Sequence, residues 1–271
     1  MRVWSLGTGS RGNAVLVEAE GTRVLIDAGF PMRELAARLA SIDVPCESVE
    51  AALVTHEHLD HVRGACAASR RWGWTLYATA GTIAAYPALR EHGARTLVPN
   101  QPVELSRLSV RAVPVSHDAA EPVAFVATER SSGARAAVAY DLGATTAALC
   151  KALERVDVML LEANHDNAML RAGPYPESVR RRIAGARGHL SNQAAGALAA
   201  ECVHADLAHL VLTHLSDSCN DPRIAVRAVA DALSPTRFRG RLSAAGQAHV
   251  AGPYGPGRRG AVRAIQLALE L

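Results

Sequence analysis

In "LVTHEHLDHVRG" (residues 53–64), His56, His58, Asp60 and His61 fall within six positions. Neutral imidazole nitrogen and carboxylate oxygen are the donors that zinc and neighbouring first-row ions prefer. The apolar run just before them reads as a strand. In extended chain alternate residues share a side, so His56 and His58 point the same way. Four donors released at a strand end can therefore converge on metal. Glu57 faces the other way and reads as solvated or as a support for a ligand. Thr55 reads as a strand-end residue. A polar loop that merely collects histidines is the bland alternative, and the density of donors weighs against it.

Such a cluster needs a scaffold that brings distant strand ends together. Strands are expected at 2–6, 51–55, 75–78, 108–116, 123–128, 135–140 and 209–213. Two β-rich runs, 13–18 and 22–27, meet at a Glu-Gly turn and read as a hairpin. Helices are expected at 31–39, with a proline in the first turn, and at 145–153. Two more are expected at 191–202, capped by Ser191, and from Asp221-Pro222 to about Leu233. Residues 252–257 are rich in glycine and proline and read as a loop. Residues 265–271 alternate like a last strand. Helices separate some strands while other β runs adjoin directly, which favours a mixed α/β architecture. Three more donors follow strands: His117 in "VPVSHDAAEPVAF", Asp141 in "AVAYDLGATT" and His214 in "LVLTHLS".

The bulk numbers exclude some classes. The chain has 271 residues, 49% hydrophobic and 20% charged, with a formal net charge of +3. That is an ordinary globular balance and no bulk argument for nucleic acid. Lys151 is the only lysine, so the basic side chains are arginines, which keep a bidentate fork for phosphate wherever they cluster. The N-terminus lacks a signal-peptide pattern, and no apolar run is long enough to span a membrane. Five scattered cysteines without a C-x-x-C pair argue for reduced thiols and a cytoplasmic location. Oligomeric state is left open.

Together these words resemble the metallo-β-lactamase fold superfamily, whose signature is H-x-H-x-D-H after a strand. "LGTGSRGN", "THEHLDH", "VSHDAAEPV", "LLEANHD", "GPYP", "GHLSN" and "LTHLS" together look like the YycJ/WalJ family of bacterial cytoplasmic metallohydrolases, which are linked to DNA exonuclease activity. "GHLSNQAA" and "LTHLS" are more distantly similar to words of tRNase Z. The resemblance covers essentially the whole chain. It implies an α/β fold, the αβ/βα four-layer sandwich of the metallo-β-lactamase type, as one domain over residues 1–271. Only about 70 positions separate Asp141 from His214, which leaves no room for the inserted β-CASP domain of RNase J-type nucleases.

By that resemblance His56, His58 and His117 hold one metal ion, and Asp60, His61 and His214 hold a second. Asp141 bridges them. Seven candidate ligands exceed what a single zinc needs. Two ions can share a hydroxide and stabilise the oxygens of an in-line displacement at phosphorus. Zinc, manganese or iron would suit the donors. Two roles are open to His189: a general acid oriented by Glu162, as the likeness to tRNase Z implies, or a residue that only fixes a helix start. His165 and Asp166 read as substrate-binding or as supports. Arg180, Arg181, Arg182 and Arg187, on a helix after "GPYP", are a solvated face or a steering surface for phosphate, with Arg181 and Arg182 taken as contacts. His92, His204, His209 and His249 read as surface or satisfied core histidines.

The leading expectation is a metal-dependent phosphodiesterase, a DNA 5′–3′ exonuclease, with Asp60 among its catalytic residues. Its partner is nucleic acid, DNA ahead of RNA, and no membrane. The alternatives are a tRNase Z-like or small-nucleotide phosphodiesterase, a thioester or lactone hydrolase of the same fold, or a metal-binding regulator. The intact ligand set weighs against the last.

The opening words "SLGTGSRGN" contain Gly7, Gly9 and Gly12 in G-x-G-x-x-G spacing. A dinucleotide site needs a helix after the glycines, and a hairpin follows here instead. The three glycines are expected to give a tight loop with positive φ beside the metals. Ser10 and Asn13 are placed in that loop as contacts to substrate phosphate or to a metal-ligating side chain.

Overall fold

The computed structural model describes residues 1–257 and 266–270. Strands β1 (Arg2–Gly7), β2 (Ala14–Ala19), β3 (Thr22–Ile26), β4 (Val49–Leu53), β5 (Thr75–Ala78) and β6 (Arg95–Thr96) lie in one sheet. Strands β7 (Pro102–Leu105), β8 (Leu108–Pro114), β9 (Val123–Glu129), β10 (Arg135–Ala139), β11 (Val158–Glu162), β12 (His209–Thr213) and β13 (Arg241–Ala245) lie in a second. β14 (Ala251–Tyr254) returns to the first sheet beside β1, and β15 (Gln266–Glu270) joins the second beside β13. Residues 265 and 271 of the expected last strand lie outside the described residues.

Alternation within the strands makes the layers. Val3, Val15, Val17 and Val24 point between the sheets and meet Val110, Phe125, Val138, Leu160 and Val211. The opposite faces are apolar too. Trp4, Leu6, Leu16 and Leu25 are covered by Leu35 and Leu39 of α1 (Met32–Ala40), with Ala65 and Ala68 of a later helix, 65–72. Met159, Leu161, Leu210 and Leu212 are covered by three helices. One of these is residues Ala147–Leu153, and the others are Asn192–Cys202 and Pro222–Leu233. Strands apolar on both faces read as continuous hydrophobic runs because both faces are buried. The result is the expected α/β sandwich of four layers, helices outside and sheets inside.

The sheet directions decide where the chemistry goes. β10, β11, β12 and β13 are mutually parallel, and β8 runs with β10 because each is antiparallel to β9. β3 and β4 are parallel, and β1 shares their direction through two antiparallel steps. Within each sheet these strands therefore end on one side, and the grouping of residues that follow β4 and β8 puts both ends at one rim of the sandwich.

The expected caps form. The Ser191 side chain accepts from the amide of Ala194, and the Asp221 side chain from that of Arg223. One expectation fails. The loop expected at 252–257 begins as strand β14, hydrogen-bonded to β1. Pro253 is tolerated there because β14 is an edge strand, where a missing N–H costs no ladder bond. The five cysteines are unpaired thiols. Among the described residues no helix is long and apolar enough to cross a membrane.

Candidate metal centre

At this rim α2 (Leu59–Val62) follows β4 directly, so the extended segment holding His56 and His58 turns into a helix that carries Asp60 and His61. His117 follows β8, Asp141 follows β10 and His214 follows β12. Their donor atoms gather in groups whose members lie within 4.8 Å of one another: His56, His58 and His117; Asp60, His61 and His214; and His56, His61 and Asp141. Asp141 and His214 carry φ of 56° and 53°. A left-handed backbone is costly for these residues, and its presence at strand ends turns the side chains inward.

The rings are aimed by partners behind them. His61 Nδ1 donates to Asp27 Oδ2 at 2.6 Å, and His117 Nδ1 to the carbonyl of Gly188 at 3.0 Å. His56 Nδ1 lies 3.0 Å from Thr55 Oγ1, whose own hydroxyl donates to Asp27. His214 Nδ1 lies 3.2 Å from Glu162 Oε1. In all four rings Nδ1 is held and Nε2 is left for the centre, which is how supporting acceptors fix a metal-binding tautomer. His58 offers the other nitrogen: its Nδ1 sits 3.0 Å from His56 Nε2.

Two observations test whether these residues suit metal. His214 Nε2 and Asp141 Oδ2 are buried without a hydrogen-bond partner. Asp141 Oδ2 lies 2.8 Å from His61 Nε2, without hydrogen-bond geometry. Buried polar atoms are normally paired, so these orphans call for a cation. Burial, reinforced by the neighbouring His61, keeps His56 well below the usual histidine range, and burial lowers His117. Burial also opposes charge on His61 and His214, but the carboxylates around them, Asp141 foremost, outweigh it and raise both, so there a cation competes with a proton. Neutral imidazoles are the ligating form. The donor set fits divalent metal.

Beside the donors, His189 Nδ1 donates to Glu162 Oε1 at 2.7 Å. Glu162 Oε2 accepts from the amides of Leu142 and Leu190. Burial raises the Glu162 carboxyl, but His189 and its hydrogen bond outweigh burial and bring it down to about 2. Burial opposes the charge on His189, yet Glu162 raises it above its ordinary value.

A cavity of about 320 Å³ opens over the centre. His58, Asp60, His117, Asp141, His189 and His214 form its floor. Ser10 and Arg182 reach its wall. Arg182 is held there by Asp118 Oδ2, 2.5 Å from its Nε.

Other expected contacts lie elsewhere. Asn13 is fully buried; its Nδ2 is 3.1 Å from His61 Nε2 and 3.4 Å from Asp60 Oδ2. Of the two contacts expected of it, it makes the one to candidate ligand side chains. His165 is 1% exposed and does not line the cavity. Asp166 caps a short helix through the amides of Ala168 and Met169. Arg181 pairs with Glu177 on the helix surface, outside the cavity, because an i, i+4 partner is nearer than the site. Arg180 donates to the carbonyl of Arg171. Arg187 lies beyond the helix, which ends at Ile183, and donates to the carbonyl of His117. Glu57 accepts from the amide of Ala120, away from the cavity. Gly7 and Gly9 have the expected positive φ, at 147° and 135°. Gly12 does not; it is required for space, since a Cβ there would lie 2.6 Å from the Phe30 ring.

The sequence reading missed Asp27. It collects His61, Thr55 and the Tyr140 hydroxyl, the last at 2.7 Å. Its signal was available: an aspartate closing an apolar strand in "VLIDAG". Asp118 and Tyr140 gave no signal of their own beyond standing next to ligands.

The Beta-lactamase superfamily domain model matches residues 22–215. The chain is 29% identical over 245 residues to Exodeoxyribonuclease YycJ of Bacillus anthracis, covering 86% of this chain and 89% of that one. It is 31% identical over 196 residues to Exodeoxyribonuclease WalJ of Streptococcus pneumoniae, covering 69% and 71%. In fold it is similar to the crystal structure of the short form of human tRNase Z. The TM-score is 0.64 at 18% identity, over 94% of this chain and all of that one (100%).

Proposed function

The chain belongs to the beta-lactamase superfamily and is a hydrolase of that fold, and from this premise we propose that it is a metal-dependent phosphodiesterase acting on nucleic acid, a DNA 5′–3′ exonuclease. The observation that carries this reading is the His189–Glu162 pair at 2.7 Å, with His189 lining the same cavity as five of the seven metal-type donors. Ester bonds with good leaving groups need no proton donor. A phosphodiester expels a poor alkoxide, and a positioned acid is what its departure requires. The exodeoxyribonuclease names of the two curated relatives support the choice of DNA.

His56, His58 and His117 would hold one divalent ion and Asp60, His61 and His214 a second, with Asp141 between them; zinc, manganese or iron would supply an activated water and positive charge for the phosphate oxygens. The chain's own residues do the rest. Glu162 fixes the His189 ring through Nδ1 and keeps it protonated, so that Nε2 carries the proton toward the leaving oxygen. Asp27, Thr55 and Tyr140 hold His61 from behind. Arg182 meets substrate phosphate at the cavity wall, and Ser10 flanks it on the glycine-rich lip. The whole chain works as one domain without a β-CASP insertion, because the residues between Asp141 and His214 are spent on the sheet and the covering helices of the same sandwich.

The test is digestion of 5′- and 3′-labelled single- and double-stranded DNA and RNA, with zinc and with manganese, and Asp60→Ala as control. Release of nucleotides from DNA 5′ ends is the expected result. Preference for RNA would move the reading to a tRNase Z-like activity. Turnover of thioesters or lactones alone would overturn it.

A further inference from the structure

The cavity has two unlike kinds of lining. Its floor is charged and polar, as hydrolysis at phosphorus requires. The rest of its lining includes four apolar side chains: Tyr175, Val179, Ile183 and Leu215. Val179, Arg182 and Ile183 are spaced i, i+3 and i+4 along the helix Glu177–Ile183, so they share one face of it. That helix buries none of its residues in the core. Val179 remains 37% exposed, one of the few large hydrophobic side chains so placed. An apolar helix face usually covers a core. This one is presented to the catalytic cavity.

The chemistry of the floor gives the apolar lining no task, since a phosphate and its metals need charge. That lining suits the flat, apolar part of a substrate whose phosphate meets the floor. Among the described residues Tyr175 is the only Phe, Tyr or Trp ring lining the cavity. Among the described residues its hydroxyl has no hydrogen-bond partner. Arg182, from the same helix face, is fastened to Asp118, which also lines the cavity. A nucleotide has the matching layout, a ring at one end and a phosphate at the other.

The geometry points to a nucleobase subsite: Tyr175 and Val179 receive the base of the nucleotide being released, while Arg182 faces its phosphate. This rests on the phosphodiesterase reading and adds to it the part of the substrate that is gripped. Stacking on a ring is tolerant of base identity, so the subsite holds any terminal nucleotide in register without selecting sequence. It accounts for an apolar lining in a site whose reaction needs none.

The experiment compares a 5′-labelled oligonucleotide ending in a normal nucleotide with the same strand ending in an abasic one, using wild type, Tyr175→Ala and Tyr175→Phe. Wild type is expected to favour the base-bearing end by about tenfold in kcat/KM, the scale of one lost base–aromatic stack. Tyr175→Ala levels the two substrates, chiefly through KM, and leaves hydrolysis of the abasic end unchanged. Tyr175→Phe keeps the preference. Equal rates on both ends by wild type, or an equal loss on both in Tyr175→Ala, overturns the subsite. Hydrolysis of neither strand by wild type overturns the nuclease reading instead. The subsite is then read by titrating dAMP and 2-deoxyribose 5-phosphate into the protein. Tighter binding of dAMP that Tyr175→Ala abolishes sustains it, and equal affinities overturn it.

Discussion

Asp27 Oδ2 and His61 Nδ1 lie 2.6 Å apart, both wholly buried, at the point where the first sheet hands the chain to the centre. The carboxylate is saturated from several sides. It also accepts from Tyr140, from the Thr55 hydroxyl and, through Oδ1, from the Thr55 amide at 2.7 Å. His61 is thus fixed with Nε2 toward Asp141 before any substrate arrives.

Asp27→Asn would set an amide N–H2 against groups that donate to the carboxylate and so loosen the ring. Supporting partners of metal-binding histidines are worth about 10–100-fold in metal affinity. Competition with a chromogenic chelator should show a loss of that size, with Tyr140→Phe showing a smaller one. Unchanged affinity in Asp27→Asn would remove Asp27 from the centre.

Removal of metal should abolish hydrolysis and lower the melting temperature, because ions that bind only the folded chain stabilise it by mass action. Dialysis against EDTA followed by zinc or manganese should restore both. A melting temperature indifferent to chelator would mean that the seven donors hold no ion.

His189→Ala should slow an unactivated phosphodiester by about 100-fold or more in kcat, the usual worth of a general acid. A p-nitrophenyl ester, whose leaving group needs no proton, should lose far less. Glu162→Gln should follow the same pattern more weakly. Equal losses on both substrates would assign the pair to a structural role.

Gly29 sits where a Cβ would fall 1.7 Å from the carbonyl oxygen of Asp60. That same oxygen accepts from the Asn13 amide at 2.7 Å. Gly29→Ala must push the Asp60 loop outward. The expected outcome is a destabilisation of about 1–3 kcal/mol or more, as for overpacking, with weakened metal binding in whatever folds. Denaturant unfolding and a metal titration would read the two effects.

Glu18 stands in register with Arg2 of β1 and Arg23 of β3, and pairs with both. Burial raises its carboxyl, but the two guanidinium groups outweigh burial and hold it below its ordinary value. A lowered folded-state value means that the stabilisation is full above the unfolded value, near pH 4.3, and is lost as pH falls through the folded one. Glu18→Gln should therefore lower the melting temperature at neutral pH by about 2 °C and converge on wild type in acid. A difference that persists in acid would point to packing instead.

The candidate donor set was legible because metal chemistry restricts residue types severely. Three histidines and an aspartate within six positions have few other uses, and His117, Asp141 and His214 each stand at the end of an apolar run. Caps such as Ser191 and Asp221 were legible for a similar local reason: they bond amides two or three residues on. Arg181 and Arg182, adjacent in sequence and alike in chemistry, were not separable. One turns to Glu177 and the other to Asp118, a choice set by helix phase and by a loop 64 positions away. Asn13 and His165 look like polar loop residues in the sequence. Each is buried, which depends on what packs over it.

The amino-acid sequence by itself determined which groups could hold metal and which runs would be strands, because ligand chemistry and side-chain alternation are local properties. Tertiary structure decided which strand ends share a rim and which ring nitrogens face the centre. It also decided which helix turns an apolar face to the cavity instead of the core. Those facts depend on strand direction and on contacts between residues far apart in the chain, and no local pattern carries them.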